Sequence, residues 1–361
     1  MRVDVLGPDA PAWDEVLSGA ERDVYHSAGY HRFARERGEG SPRLLLVQDG
    51  SRGLAWPYLL RRIGDLPEFA GADDTEVTSV YGYPGPVAWD CRATDPFLGQ
   101  AWSAAVDVWR SERAVAVFTR FNPLLGNAEI AATFSVDSVP DADSPGVVAE
   151  GPTVSVDCTI DDDAATSAYA RALRQHIAAA RRAGLTTTED VEWAEIGTFA
   201  RLYGATMAKN AAADYYLMAE LDFGRLRAAL PGHVHLLVAR CGADVAAAGL
   251  FLEFGGIVQA HLLASNGAFH HLSPAKLLLD DARRWARARG ERVLHLGGGR
   301  GAREDSLFFF KREFSGRRHV FSTGRWVLDR PRYAGLVAQH MRATGVETPD
   351  TFFPRYRSAA I

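Results

Sequence analysis

The chain has 361 residues, of which 47% are apolar and 24% charged, and it carries a net charge of −5. That length suits two domains better than one core, and the balance excludes a disordered chain. The negative total excludes a surface that attracts nucleic acid everywhere. DNA is therefore not an expected partner, and an RNA would need a local basic patch.

The opening residues, MRVDVLGPDAPAWDE, lack a basic stretch followed by an apolar run, so no signal peptide is expected. In the first half, Ala28 to Arg37 predicts a short helix. Arg43 to Val47 and Gly53 to Leu60 predict two strands around the Asp49-Gly50 turn. Thr78 to Val87 reads as a strand broken by glycine and proline, Ala101 to Arg113 as a helix, and Ala114 to Phe121 as a central strand buried on both faces. Residues 135–152 are rich in Asp, Pro, Ser and Gly and read as a linker.

The second half predicts helices over Ala164 to Ala183 and Ile196 to Met207. A hairpin follows, from His233 to Arg240 and Ala246 to Phe254, and then a strand over Gly256 to Ala264. A long amphipathic helix spans Pro274 to Arg289 and is stopped by Gly290. A strand from Arg292 to Leu296 then runs into Gly297-Gly298-Gly299. Val320 to Leu328 reads as a strand and Tyr333 to Ala343 as a last helix. Helix, hairpin, strand, helix and strand recur in both halves, which predicts a duplication at the level of fold.

No apolar run approaches the roughly 20 residues that span a bilayer, so no integral membrane association is expected. The cysteines at 91, 158 and 241 are odd in number and unpaired by spacing. They read as small hydrophobes in a reducing compartment, which makes the expected location cytoplasmic. Lysine occurs only at Lys209, Lys276 and Lys311, so 40 − 3 = 37 of the basic residues are arginine. The few lysines are candidates for places where a compact ammonium is needed and a planar guanidinium does not serve.

The run LHLGGGRGAREDSLFFFKREFSG, from Leu294 to Gly316, resembles the Fem family of aminoacyl-tRNA-dependent peptidyltransferases and its antibiotic-biosynthesis relatives. YGYPGPV at 81–87, FTRFNPLL at 118–125, RALRQHIAAARRAG at 171–184 and YGATMAKNAAADYY at 203–216 extend the resemblance over most of the chain. It implies an α/β (α+β) fold of two tandem GNAT-like acyltransferase domains, with mixed sheets flanked by helices. The expected domains are 1–150 and 151–330, with 331–361 a C-terminal helix packing back on the first. It also implies an aminoacyl-tRNA donor and a small peptide or peptidoglycan-precursor acceptor, with a slight lean toward a peptide natural product. No cofactor or metal is implied. Acyl-CoA-using GNAT enzymes carry an R/Q-x-x-G-x-G/A loop whose N–H groups hold the pyrophosphate. Here Asn266 to Pro274 reads NGAFHHLSP instead, which lowers the case for coenzyme A.

Lys311 matches the lysine that the family carries for oxyanion stabilisation, and Phe308 to Phe310 could wall it from water. Gly297, Gly298 and Gly299 read as a loop where substrate lies against a strand end. Asp305 and Ser306 fit an N-cap pair, and Asp305 is also a candidate to handle the proton of the attacking amine. Lys276 sits at a helix start, where the dipole disfavours a cation, which suggests a phosphate or carboxylate partner. Tyr215 and Tyr216 match a family segment near the acceptor pocket. The substrate-binding set is thus Phe310, the three glycines, Lys276, Tyr215, Tyr216 and Ser306. Arg171, Arg174, Arg181 and Arg182 read either as a solvated helix face or as contacts to a tRNA acceptor stem. His261, His270, His271 and His295 match no zinc spacing. An acyl-CoA-dependent N-acyltransferase and a non-catalytic RNA- or precursor-binding protein are the other two readings.

Overall fold

The computed structural model describes residues 1–136, 142–209 and 217–358. It divides into two compact units: Met1–Glu150 with Val320–Ile361, and Gly151–His319. The second unit is an insertion in the chain of the first. Val320 to Leu328, expected in the second domain, belongs to the first unit.

The chain begins with β1 (Arg2–Leu6), α1 (Ala12–Val16), α2 (Ala28–Glu36) and the hairpin β2 (Ser41–Asp49) and β3 (Arg52–Arg62). β4 (Thr75–Thr78), β5 (Val87–Trp89), α3 (Pro96–Ser111), β6 (Ala114–Arg120) and α4 (Asn127–Ile130) follow. The Thr78–Val87 segment is thus two short strands flanking a glycine–proline loop, not one. α3 starts where Asp95 accepts from the Phe97 N–H and Pro96 presets the first turn. Its spacing of Phe97, Ala101, Trp102, Ala105 and Trp109 packs one face onto the sheet.

β7 (Gly146–Asp157) comes next, out of residues that composition assigns to a linker. Its first residues are glycine, valine and glutamate among prolines, so alternation is masked until TVSVD. α5 (Asp162–Ser167) and α6 (Arg171–Arg182) replace the single helix expected over Ala164–Ala183. Ala170 between them is extended and donates its N–H to the Glu313 carbonyl, which breaks the helical ladder. β8 (Leu185–Glu189), α7 (Ile196–Lys209), α8 (Glu220–Ala229), β9 (Val234–Cys241), β10 (Asp244–Phe254) and β11 (Ile257–Ser265) build the next layer. α9 (Pro274–Ala288), β12 (Val293–Gly298) and α10 (Ser306–Arg312) complete the unit. β13 (Arg318–Val327) and α11 (Arg330–Thr344) return the chain to the first.

The sheet of the first unit runs β1-β2-β3-β4-β6-β13, with β5 also on β3. Every pairing along that path is antiparallel except β4–β6. The second unit runs β8-β9-β10-β11-β12-β7, and here only β11–β12 is parallel. The two units therefore share one order of pairings, with α3 and α9 as the crossovers that parallel neighbours require. Under α6 and α9 lies a core of Leu173, Ile177, Phe251, Leu277, Leu278, Leu294, Phe308 and Phe314. None of the described helices is long and apolar enough to cross a membrane.

Candidate active site

The parallel strands β11 and β12 pair only through Ile257–Val293, Val258–Leu294 and Gln259–His295. β11 then runs on to Ser265 and β12 to Gly298, so their carboxyl ends part. A bulge between His295 and Gly297 bends β12 at the same point. A parting of parallel strands at their carboxyl ends is where open α/β sheets place ligands, and bulges re-aim side chains beside such sites.

The glycine run is built for this place. Gly297 has φ 75°, a left-handed conformation that side chains rarely adopt. A Cβ on Gly299 would stand 2.0 Å from the Arg303 carbonyl and 2.4 Å from an Asp305 carboxylate oxygen. Only glycine fits there.

α10 brings Lys311 onto this loop. Asp305 starts the helix: one oxygen accepts from the N–H groups of Leu307 and Phe308 at 3.1 and 3.0 Å. The other accepts from Arg300 Nε at 2.9 Å. Two turns on, Lys311 Nζ donates to the Gly298 carbonyl at 2.7 Å. Burial pushes the Lys311 ammonium down from 10.5 to about 8, against the attraction of Asp305. It remains a cation at neutral pH, in a site where charge is poorly screened.

The partners of Asp305 hold it as a carboxylate. Although burial raises its pKa, the bonds from Arg300 and the helix N–H groups outweigh this and hold it at about 2. Both oxygens are engaged, so it serves as cap and loop clasp. Ser306 is the exposed first residue of α10. Phe308 is buried, and Phe310 packs edge-on against Phe314 at 5.8 Å, so both belong to the core side of the helix. Phe309 is the exposed member, with the Arg312 guanidinium 4.7 Å over its ring.

Lys276 finds its carboxylate inside the protein. Its Nζ donates to Glu313 Oε2 at 2.6 Å and lies 3.1 Å from His176 Nδ1. The carboxylate partner expected for it is thus supplied from α10's C-terminal side by Glu313. Of the four α6 arginines, Arg181 pairs with Asp280 and Asp281, and Arg174 donates to the Ser167 and Tyr169 carbonyls. Those two hold the fold, whereas Arg171 and Arg182 lie exposed on the same helix. Tyr215 and Tyr216 lie outside the described residues.

Sequence reasoning misses a set of buried polar side chains beside the lysine. Ser155, His295 and Gln259 stand opposite one another on β7, β12 and β11. His295 Nδ1 lies 2.7 Å from Gln259 Oε1, and Ser155 Oγ lies 2.7 Å from His319 Nε2. Burial, with the nearby Lys311 and His319, pushes His295 down to about 3. The available signal was a single polar residue inside each apolar triplet: Val-Ser-Val, Leu-His-Leu and Val-Gln-Ala.

Residues 152–312 match the family model for an acetyltransferase (GNAT) domain. The crystal structure of FemX superposes with a TM-score of 0.69 at 13% identity, covering 92% of this chain and 99% of that one. The chain thus carries a GNAT domain and shares its fold with FemX. A conserved protein of unknown function from Bacteroides thetaiotaomicron follows the same fold at TM-score 0.55 and 8% identity, over 90% of this chain and all of that one. So does the C-terminal domain of a putative lysylphosphatidylglycerol synthetase from Agrobacterium fabrum. Its TM-score is 0.50 at 14% identity, over 86% and 90% of the two chains. No curated protein matches by sequence. The second unit is thus a GNAT-type acyltransferase domain, with its parted strands and the lysine loop in one place.

Proposed function

We propose that the chain transfers an aminoacyl group from aminoacyl-tRNA to the amine of a peptide-like acceptor, forming a peptide bond. The observation that carries this is the Lys311 ammonium, fixed on the Gly298 carbonyl where the parallel strands part. The amine nitrogen attacks the ester carbonyl carbon, a C–N bond forms and the carbonyl oxygen becomes an oxyanion. A buried ammonium that needs no reorganisation stabilises that charge by several kcal/mol. Collapse breaks the C–O bond, and the proton lost by the attacking amine goes to the ribose oxygen, which leaves as a hydroxyl. An aminoacyl ester is already activated toward amines, so no covalent enzyme intermediate is required.

The region after β11 weakens the case for coenzyme A. Gly267–Leu272 forms a 3-10 helix capped by Asn266, and Pro274, which has no N–H, opens α9. Glu313 meets Lys276 on the first turn of α9. The cation of that first turn is thus already engaged by a carboxylate. The exposed Arg171 and Arg182, with Arg303, Arg312 and Arg318 around α10, offer phosphate contacts to an RNA.

The deciding experiment supplies labelled aminoacyl-tRNA pools and candidate peptide acceptors, with acetyl-CoA in parallel. Product that disappears on ribonuclease treatment upholds the reading. Activity that survives ribonuclease and requires acyl-CoA overturns it.

A further inference from the structure

We infer that His319 is the proton acceptor of this site, oriented by Ser155. The inference rests on amine acylation as read above and holds for either acyl donor.

The argument begins with what the interior of the sheet contains. Ser155 is 1%, Gln259 2% and His295 0% exposed, on three adjacent strands in register. Burying such groups costs free energy unless they are bonded, and an apolar row would have been a simpler core. The row leads outward to His319, whose ring is only half-buried and whose Nε2 meets Ser155 Oγ at 2.7 Å. The backbone of His319 is also held, since its carbonyl accepts from Thr153 Oγ1 at 3.4 Å. β7 sets Thr153 opposite Gly298, so the strand that holds His319 through Ser155 and Thr153 lies beside the carbonyl that Lys311 binds.

The other groups near the lysine are committed. Asp305 caps α10 and binds Arg300, Glu313 binds Lys276, and His295 is enclosed and bonded to Gln259. Among the described residues, the charged group that acts on His319 is the adjacent Arg317, itself paired with Asp157 of β7, and His319 in turn acts on His295 of β12. Burial and then Arg317 lower His319 from 6.5, so it is neutral at pH 7 and able to take a proton.

The Ser155 hydroxyl can accept from His319 Nε2–H at this distance. When Nε2–H donates to Ser155 Oγ, Nδ1 carries the lone pair. The amine attacks the carbonyl carbon, the C–N bond forms and the N–H proton passes to His319 Nδ1. The oxyanion stands against Lys311. Collapse breaks the bond to the leaving oxygen, or to sulfur with a thioester donor. The imidazolium then returns its proton to that leaving group, and His319 ends neutral.

The test uses the full chain and compares wild type with His319→Gln, which keeps a polar partner for Ser155. Single-turnover rates are taken from about pH 5 to about pH 9, with thermal melts as the folding control. The wild-type rate should show an acid limb with a midpoint below about 6.5, and the variant should lose that limb with a roughly hundredfold fall in rate. The acceptor amine and the loss of the Lys311 cation through about 8 shape the higher-pH side in both forms. An acid limb that persists in His319→Gln, or a rate within about threefold of wild type, overturns the inference. ¹⁵N NMR of the wild-type imidazoles needs no donor and provides a second arm. A ring that is unprotonated at Nδ1 and titrates below about pH 6.5 upholds the inference; a proton fixed on Nδ1 overturns it. If wild type turns over neither donor, the functional reading fails, while the NMR arm still decides on His319.

Discussion

At Lys311, geometry and charge make separate predictions. Lys311→Met keeps the stem and removes the ammonium, so turnover should fall roughly a hundredfold. Steady-state kinetics check it, and near-wild-type turnover would remove the residue from the mechanism. The pH signs are distinct for rate and fold. The cation is lost as pH rises through about 8, so wild-type turnover should fall there, and the methionine variant should lack that limb. For stability, a depressed lysine is a cost that is full below about 8 and fades as pH climbs toward 10.5. Lys311→Met should therefore melt no lower than wild type at neutral pH. Lys311→Arg keeps a charge but carries it on a wider plane, so it should rescue only in part. Asp305 is tested by the pair Asn and Ala. Asn caps a helix about as well as Asp, so Asp305→Asn should keep most turnover, whereas Asp305→Ala should lose about 1 kcal/mol in chemical denaturation. A collapse of turnover in the Asn variant would restore Asp305 as a proton carrier. The place of Lys311 on the glycine loop was legible because the motif is local in the chain. His319 and Ser155 were not, because strand pairing alone brings β7 to the end of β13.

The glycine loop and α10 act as one part. A methyl group on Gly299 would collide with the Arg303 carbonyl and with the Asp305 cap, both backbone-anchored features of the turn. Gly299→Ala should therefore cost about 1–3 kcal/mol and displace Lys311, so that turnover falls more than the melt alone would explain. A variant with unchanged melting and unchanged turnover would show that the loop relaxes freely. The long, strongly periodic elements were legible: α9 and the β2–β3 and β9–β10 hairpins lie close to their expected spans, while α3 begins more than a turn earlier than expected, at Pro96. β7 was hidden because its start is written in turn residues. The helix expected over Ala164–Ala183 was divided because Tyr169 turns inward to bond Asp280 and Ala170 bonds Glu313. Neither partner is near in sequence, so no local pattern announces the break.

The molecule as a whole is a duplication in which one copy interrupts the other. The first unit is closed by residues after the insertion: Glu76, 1% exposed, pairs with Arg61 from β3 and Arg357 from beyond α11. Removing one cation from a buried carboxylate leaves charge poorly compensated, so Arg357→Met should destabilise by about 3 kcal/mol, and adding Glu76→Gln should recover part of it. Chemical denaturation of the two variants and their combination measures this coupling. The repeated pairing order was legible as a repeated order of elements, but the exchange of strands was not, since composition draws its boundary in the wrong place for β13. That exchange has a cost on the ribosome. β6, an apolar strand, waits with one edge open until β13 is made, because Thr323 is the partner of Arg120. Translation at about 5–20 residues per second leaves that edge bare for roughly ten to forty seconds while the intervening chain emerges. During that interval an unfinished chain offers β6 to any other strand nearby, so synthesis rate, not only final stability, sets how much of this protein is recovered intact.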